Sequence, residues 1–344
     1  MYYEIDKIEI NNNIFNIITV ENSKNFKVSF LEHGASIYSI FLDNKLLTVC
    51  GKDLRYHLYP GSPFGKTIGR IAGRIENANI DIDGVNYKLE KSRFSKDTLH
   101  CGSSNFGDKK FDFQIKEYED KIDVVFSYIS LESEANLPGD VDVKVIYTVY
   151  KDKNNIKINY VAKSSKNTYL NITNHTYYNL SGNFRSGIEN HYIKLNANKM
   201  AKCDDDLNPQ DIIDCKGLYN LNENTLLKNN LFTRDLLFRK NRGYDDVFLL
   251  NDDSDFAASV YSPYSNIRMN MYTSYPGLIL YTGAYPAFME QVVEVENKLL
   301  FDSFCLEAQY IPNGYNIFDK KYMYLEANKE YNHYIEIEFL KDGN

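Results

Sequence analysis

The 344-residue chain is 43% hydrophobic and 25% charged, a globular composition with enough apolar residues to fill a large core. Its net charge of −8 offers no basic surface for nucleic acid, and no run of about 18 apolar residues predicts a membrane-spanning helix. The five cysteines lack C-x-x-C spacing, which argues against a zinc cluster or a disulfide framework, and the N-terminal sequence does not predict a signal peptide, so we expect a cytoplasmic protein.

Alternating apolar and polar residues, typical of β-strands, recur along the chain. Residues 79–89 alternate on both sides of Asp83-Gly84, a dipeptide suited to a tight primed turn, and they predict a hairpin. The same alternation predicts strands at 122–129, 142–150, 155–161 and 334–340. A short polar turn joins the second and third of these, which we expect to be neighbours, and the last predicts that the C-terminal region joins a sheet.

Helical patterns are scarce. Short segments around 230–238 and 288–300 are the candidate helices, and neither has the long 3.6-residue repeat of a core helix. Residues 203–242 are rich in Asn, Asp and Lys and predict long loops. The chain has no glycine-rich nucleotide-binding motif, no break in composition and no fixed-period repeat. We therefore expect one all-β domain over residues 1–344.

Two residues that can carry protons stand among apolar, aromatic or small neighbours. His175 lies in TNHTYYNL (173–180), where it is either a hydrogen-bonded structural histidine or a general acid or base. Glu307 follows the apolar run 304–306. It is either a surface residue at a strand end or a carboxylate in a cleft, where burial would raise its pKa. Taken singly, the two segments leave both interpretations open.

Six segments place polar residues beside glycine, proline and aromatic residues: GRIAGRIENA (69–78), LHCGSSNFG (99–107), NITNHTYYNLSG (171–182), GYDDVFLL (243–250), YPGLILYTGAY (275–285) and FCLEAQYIPNGYN (304–316). In content and order they resemble the motifs of the aldose 1-epimerase (galactose mutarotase) family. The family's G-R-x-x-N-R-I, L-H-G-G and T-N-H-[ST]-Y-F-N-L are similar to residues 69–75, 99–102 and 173–180. Its G-[FYI]-D-H, P-G-x-x-x-Y-T-G and C-L-E-[TA]-Q are similar to residues 243–246, 276–283 and 305–309.

The resemblance implies a large antiparallel β-sandwich, the galactose mutarotase-like supersandwich, with one sugar cleft. It implies an isomerase that interconverts the α and β anomers of a free aldohexose such as galactose or glucose. At the matching positions Glu307 would be the catalytic base and His175 the acid, while Arg74, His100 and Asp245 would bind the sugar. Neither a metal nor another cofactor is implied. The expected partner is the sugar alone, on a monomer or a homodimer.

The chain departs from the family motifs at three places. Gly73 stands where Asn is common, Asp246 stands where a histidine is usual, and residues 312–316 (PNGYN) lack the Asp of the family's P-D-[AS]-x-N. Neither member of the expected acid–base pair is affected. The departures therefore bear on substrate preference. Asn174 is expected to hold the loop that carries His175. Four further histidines are expected to be structural or on the surface: His33, His57, His191 and His333.

Two alternative functions use the same fold. A hexose-6-phosphate 1-epimerase-like enzyme would need a basic pocket for the phosphate, and the motifs supply only Arg70 and Arg74 as cations. A non-catalytic sugar-binding protein would have no need of an acid–base pair, and its expected sign is the loss of Glu307 or His175. Both residues are present, so the sequence favours the isomerase.

Overall fold

The predicted all-β fold is confirmed by a computed structural model, which describes residues 1–50, 54–92, 95–183, 186–237, 242–282 and 301–341. Strands predominate in these ranges, and the helices between them are short. Within the same ranges, no helix combines the length and the hydropathy needed to cross a membrane.

The strands are numbered here in chain order. The first half of the chain contains β1 (Tyr2–Ile10), β2 (Asn13–Glu21), β3 (Phe26–Leu31), β4 (Ser36–Leu42), β5 (Lys45–Leu46), β6 (Thr67–Ile68), β7 (Arg74–Ile75), β8 (Asn79–Ile82), β9 (Val85–Lys88), β10 (Thr98–Leu99), β11 (Asp112–Glu117), β12 (Lys121–Ser130), β13 (Val141–Tyr150), β14 (Asn155–Ser164) and β15 (Thr168–Tyr169). The second half contains β16 (Thr173–Asn174), β17 (Tyr177–Tyr178), β18 (Tyr192–Leu195), β19 (Lys199–Cys203), β20 (Pro209–Asp214), β21 (Thr225–Leu226), β22 (Asp245–Leu249), β23 (Phe256–Ser262), β24 (Ile267–Thr273), β25 (Gly277–Tyr281), β26 (Phe304–Gln309), β27 (Tyr324–Leu325) and β28 (Glu330–Lys341).

A nine-stranded sheet in the order β11-β12-β13-β14-β28-β24-β23-β18-β21 contains four of the predicted strands. In β13 the buried Val141, Val143 and Val145 alternate with the exposed Asp142 and Lys144, which is the pattern that predicted the strand. The neighbouring β13 and β14 pair as expected. The predicted C-terminal strand, β28, is paired on both sides, with β14 and with β24.

The predicted hairpin is also confirmed. Strands β8 and β9 pair with Ile82 opposite Val85, so that Asp83 and Gly84 form the two-residue turn. Both turn residues have positive φ, 53° and 78°, as a type I′ turn requires. This hairpin is a separate two-stranded ladder.

Two further sheets complete the sandwich. Strands β1 to β5 form a five-stranded sheet in chain order. A six-stranded sheet has the order β17-β26-β25-β22-β19-β20 and carries the chemical candidates, because β26 contains Glu307 and β22 begins at Asp245. The main hydrophobic core draws buried residues from all three large sheets, for example Phe30, Val145 and Leu306. Every ladder between these strands is antiparallel.

The prediction of long loops over 203–242 is wrong in part. Residues Pro209–Asp214 form β20, which pairs with β19 at the edge of the six-stranded sheet. An edge strand is held by backbone hydrogen bonds to one neighbouring strand only, and most side chains of β20 are exposed to solvent. Their polar composition resembles that of a loop, so the sequence did not indicate a strand. The short helices Leu227–Leu231 and Arg234–Leu237 lie in the same region and divide the helix predicted around 230–238. The helix predicted at 288–300 lies outside the described residues, as does residue 238.

The remaining helices are equally short. The α-helices are Leu54–Leu58, Glu132–Ala135 and Gly314–Ile317, in addition to the two named above. Single 3₁₀ turns are formed by Glu76–Ala78, Gly102–Ser104, Phe106–Asp108, Ile188–Asn190 and Gly217–Tyr219. None of these elements has the length of a core helix, so the sheets position the site.

Candidate active site

A row of side chains crosses the six-stranded sheet at Glu307, the expected catalytic base. Glu307 on β26 lies opposite Ile279 on β25, and Ile279 lies opposite Val247 on β22. Residues opposite each other in an antiparallel ladder share a face of the sheet. On the other side of β26, the short β17 brings His175, two residues before it, beside Glu307. His175 Nε2 lies 3.3 Å from Glu307 Oε1, so the two proton carriers are in contact.

Both members of this pair are buried, with relative exposures of 6% for His175 and 3% for Glu307. Burial raises the pKa of Glu307 well above its usual range, and the negative charge of Asp245 adds to this effect. Burial also lowers the pKa of His175 to about 4. Glu307 Oε2 has no hydrogen-bond partner among the described residues. Such an unpartnered buried oxygen is unusual in a protein interior and is available to a ligand.

His100 joins the pair through a second short ladder. Strand β7 pairs with β10, which places Leu99 opposite Arg74 and sets the following His100 beside the candidate acid. The rings of His100 and His175 are 5.6 Å apart at their centroids. The N–H of Gly73 donates to His100 Nδ1 at 3.1 Å. Since Nδ1 accepts a hydrogen bond, the proton of the neutral imidazole is on Nε2, and His100 is a donor toward the site.

This arrangement also decides whether the cluster fits a metal ion. One ligand atom from each of His100, His175 and Glu307 lies within 4.8 Å of the others. A catalytic zinc site needs three protein ligands with free lone pairs. The Nδ1 lone pair of His100 accepts the N–H of Gly73, and its Nε2 carries the proton. His100 therefore has no lone pair for a metal, and the donor set does not fit the ion.

The pair lies at the floor of a pocket of about 230 Å³. Arg74, His100 and Asp245, the expected sugar-binding residues, all line this pocket together with the pair. Arg74 and Asp245 are half-buried, so both reach the cavity without being solvated freely. The structure thus brings together all five residues that the sequence singled out.

Apolar and aromatic side chains complete the pocket, and sequence reasoning missed them as site residues. The additional lining residues are Gly61, Pro63, Gly73, Leu99, Tyr177, Cys203, Leu207, Val247, Ile279, Tyr281 and Pro312. Alternation along β22 and β25 places Val247 on the face of Asp245 and Ile279 on the face of Tyr281, so the sequence indicates the face of each strand but not that this face lines a pocket. No pattern distinguished the loop residues Gly61 and Pro63.

Other residues near the motifs have structural roles. Arg70 is buried and donates to Ser130 Oγ at 2.9 Å, to the Ser130 carbonyl at 2.7 Å and to the Gly139 carbonyl at 2.8 Å. It is therefore absent from the pocket lining. Asn174 donates to the carbonyl of Gly65 at 2.8 Å and so holds the loop that carries His175, as expected.

The four other histidines also lie outside the pocket. His191 is buried, and its Nε2 accepts the N–H of Leu180 at 3.0 Å. His333 lies between the hydroxyl groups of Tyr310 and Ser274, at 3.0 and 3.1 Å. Burial lowers the pKa of His33 to about 4 and that of His57 to about 3. The contacts of His191 and His333 and the complete burial of His57 support structural roles for these three.

The departures from the family motifs have local explanations. Gly73 has φ of +81°, and a Cβ built on it would lie 2.4 Å from Cγ of Pro312, so no side chain fits at this position without movement. Asp246 does not line the sugar pocket. It lines an adjoining groove of about 340 Å³, and its Oδ2 accepts the N–H of Asp245 at 3.2 Å. The second carboxylate therefore supports the backbone of Asp245 from outside the pocket.

The chain is similar to known proteins along most of its length. The family model for aldose 1-epimerase matches residues 16–338. An aldose 1-epimerase of Haemophilus influenzae is 30% identical over 313 residues, which cover 88% of each chain. A galactose mutarotase of Sus scrofa is 29% identical over 288 residues, covering 82% of this chain and 80% of the relative. The crystal structure of a galactose 1-epimerase from Lactobacillus acidophilus has the same fold, with a TM-score of 0.88 at 22% identity over 99% of both chains.

Proposed function

Because this chain belongs to the aldose 1-epimerase family, we propose that it interconverts the α and β anomers of a free aldohexose such as galactose or glucose. The observation that carries the proposal is the contact of 3.3 Å between His175 Nε2 and Glu307 Oε1 at the floor of a pocket of monosaccharide size. A hemiacetal opens when one proton is removed from the C1 hydroxyl and another is delivered to the ring oxygen. One carboxylate and one imidazole in contact can supply both transfers.

In the proposed mechanism Glu307 takes the proton of the C1 hydroxyl while His175 donates a proton to the ring oxygen. The C1–O5 bond breaks, and C1 becomes a carbonyl carbon. Rotation about C1–C2 then presents the other face of the carbonyl to the C5 hydroxyl. The proton transfers run in reverse, and the ring closes as the other anomer. The pair ends each cycle with the proton count with which it began.

Burial favours the proton positions that ring opening produces. After ring opening Glu307 is protonated and His175 is neutral, so neither group is charged. Burial raises the pKa of Glu307 and lowers that of His175 to about 4, which favours this uncharged pair over carboxylate and imidazolium. The starting ion pair is the costlier state. Glu307 gains the proton of the C1 hydroxyl and His175 loses its own, so both transfers lead to the protonation states that burial favours.

The other polar groups of the pocket are proposed to bind and orient the sugar. Arg74 offers a forked set of donors and Asp245 an acceptor, a combination suited to adjacent hydroxyl groups. His100 donates through Nε2, because its Nδ1 already accepts the N–H of Gly73. The apolar side chains of Ile279 and Tyr281 provide a surface for the C–H groups of the pyranose ring.

The reaction needs two proton transfers and no electron transfer or Lewis acid, so the proposed mechanism uses no cofactor. The hydrogen bond at His100 points the same way, since that residue cannot ligate a metal through either nitrogen while Gly73 donates to it. We therefore propose that the pocket works without a bound metal.

The pocket does not favour a phosphorylated sugar. Arg74 is the only Lys or Arg among the described residues that line it, and it faces Asp245 and Glu307 in the same small cavity. The adjoining groove has Lys202 and Lys216, but four carboxylates accompany them: Asp204, Asp214, Asp245 and Asp246. The groove is net negative, and in the pocket Asp245 offsets Arg74 while the Glu307–His175 pair carries no net charge, so neither place offers a phosphate dianion a net positive charge. The free aldose is therefore the preferred substrate class.

Polarimetry of freshly dissolved α-D-glucose and α-D-galactose tests the proposal. The purified protein should accelerate the approach to the equilibrium rotation in proportion to its concentration, and glucose 6-phosphate should be a poorer substrate. A non-catalytic sugar-binding protein would leave the rate at its spontaneous value while still binding the sugars. Preference for the phosphorylated sugar would instead support the hexose-6-phosphate enzyme.

A further inference from the structure

Residues 61–66, named the wall segment here, serve the site at both ends. At one end Gly61 and Pro63 line the sugar pocket. At the other end two backbone hydrogen bonds, of 2.9 and 3.0 Å, join the segment to the N–H and the carbonyl of His175. One stretch of chain therefore forms a side of the pocket and fixes the backbone of the expected acid.

A buried ion pair links the two ends of the wall segment. Nζ of Lys66 lies 3.0 Å from Oδ1 of Asp108, with the lysine side chain fully buried and the aspartate 18% exposed. The oxygens of Asp108 also accept the N–H of Gly61, at 3.1 and 3.2 Å. One carboxylate thus holds the pocket end through Gly61 and the acid end through Lys66.

A gain in folding stability does not by itself account for the buried Lys66–Asp108 ion pair. Burial lowers the pKa of Lys66, because water no longer solvates the ammonium group. Replacing a buried ion pair with apolar residues of similar volume is often neutral or stabilising, whereas removing one partner is strongly destabilising. Two apolar side chains would fill the same space but would accept no N–H from Gly61 and fix no single orientation. What the ion pair adds is a defined geometry for the segment.

We propose that Lys66 and Asp108 are positioning residues, which set the place of His175 through the wall segment. The inference rests on the proposed function, since it assigns the pair a role in that reaction. Neither residue lines the pocket, so neither is proposed to touch the sugar. A displacement of about 1 Å in a catalytic group can cost on the order of 100-fold in rate, so small shifts of the segment should be measurable.

The double variant Lys66→Met/Asp108→Leu tests this role, because it removes both charges and nearly preserves volume. We expect its free energy of unfolding to equal or exceed that of the wild type, while kcat falls at least about tenfold and KM rises. A purely structural pair would leave both kinetic constants of the folded protein within about twofold, and that result would overturn the inference.

A matched pair of single variants keeps the inference testable if the double variant does not fold. Asp123 also pairs with a lysine, Lys121 at 3.4 Å, but it lies on β12 away from the pocket. Both Asp108→Asn and Asp123→Asn should lower the free energy of unfolding, and only Asp108→Asn should lower kcat when both are assayed well below their unfolding temperatures. Equal kcat values for the two variants would overturn the inference.

A wild type without mutarotase activity would overturn the proposed function and the inference together, whereas an active wild type with unaffected variants would overturn the inference alone.

Discussion

Replacing Glu307 with glutamine removes the proposed base while keeping the size of the side chain. The amide oxygen can remain 3.3 Å from His175 Nε2, the distance found for Oε1. Glutamine carries no charge, and burial has already raised the pKa of Glu307 well above its usual range, so the folded protein loses no buried carboxylate interaction on which it depends. We therefore expect Glu307→Gln to have the same free energy of unfolding as the wild type, or a higher one.

Turnover should respond very differently. A positioned general base typically contributes on the order of 10²–10⁴ in rate, so kcat should fall roughly a thousandfold. KM should change little, because Arg74, His100 and Asp245 still surround the sugar. The assay is polarimetry of fresh α-D-galactose at several sugar concentrations, with chemical denaturation measured on the same preparation.

Glu189 provides a matched control. It is a half-buried carboxylate whose pKa is also raised by burial, and it does not line the pocket. Glu189→Gln should leave kcat and KM unchanged. If Glu307→Gln kept near-normal turnover and only raised KM, Glu307 would be a binding residue and the reasoning from its burial would be wrong.

Three further outcomes are expected. Activity should survive exhaustive treatment with EDTA, and loss restored by one divalent ion would contradict the cofactor-free mechanism. The profile of kcat/KM against pH should be a broad plateau. Activity should fall below about pH 4, where protonation of His175 gives the pair a second proton. It should fall again above the raised pKa of Glu307, where the pair loses its one proton. Arg70→Leu should lower the free energy of unfolding by about 3 kcal/mol in denaturant titrations, because buried carbonyls lose their donor, whereas Arg74→Leu should change it by less than about 1 kcal/mol and raise KM roughly tenfold.

Much of the fold was predictable because half-buried strands have one apolar face. In β13 the valines at 141, 143 and 145 are buried and the residues between them are exposed, so alternation identified the strand. Strand β20 was not predictable in this way. It is an edge strand whose polar side chains face solvent, and its pairing with β19 depends on backbone hydrogen bonds, which leave no trace in the sequence.

The site was predictable where residues matched family motifs and not where they only line the cavity. His175 and Glu307 are 132 positions apart, and a motif in each segment was needed to associate them before the structure showed their contact. Ile279 lies on an ordinary alternating strand, and its sequence context does not distinguish a pocket wall from the core. The tautomer of His100 depends on the backbone N–H of Gly73, a contact that only the folded loop creates.

The central claim is that Glu307 and His175 act together in one ring-opening step, and a double-mutant cycle tests it most directly. Turnover of α-D-galactose is measured for Glu307→Gln, for His175→Asn and for the double variant, each with its free energy of unfolding. Since neither proton transfer is useful without the other, the double variant should be about as slow as the slower single variant. Strictly multiplicative losses in kcat would contradict the account, because they would show that the two residues act in separate steps.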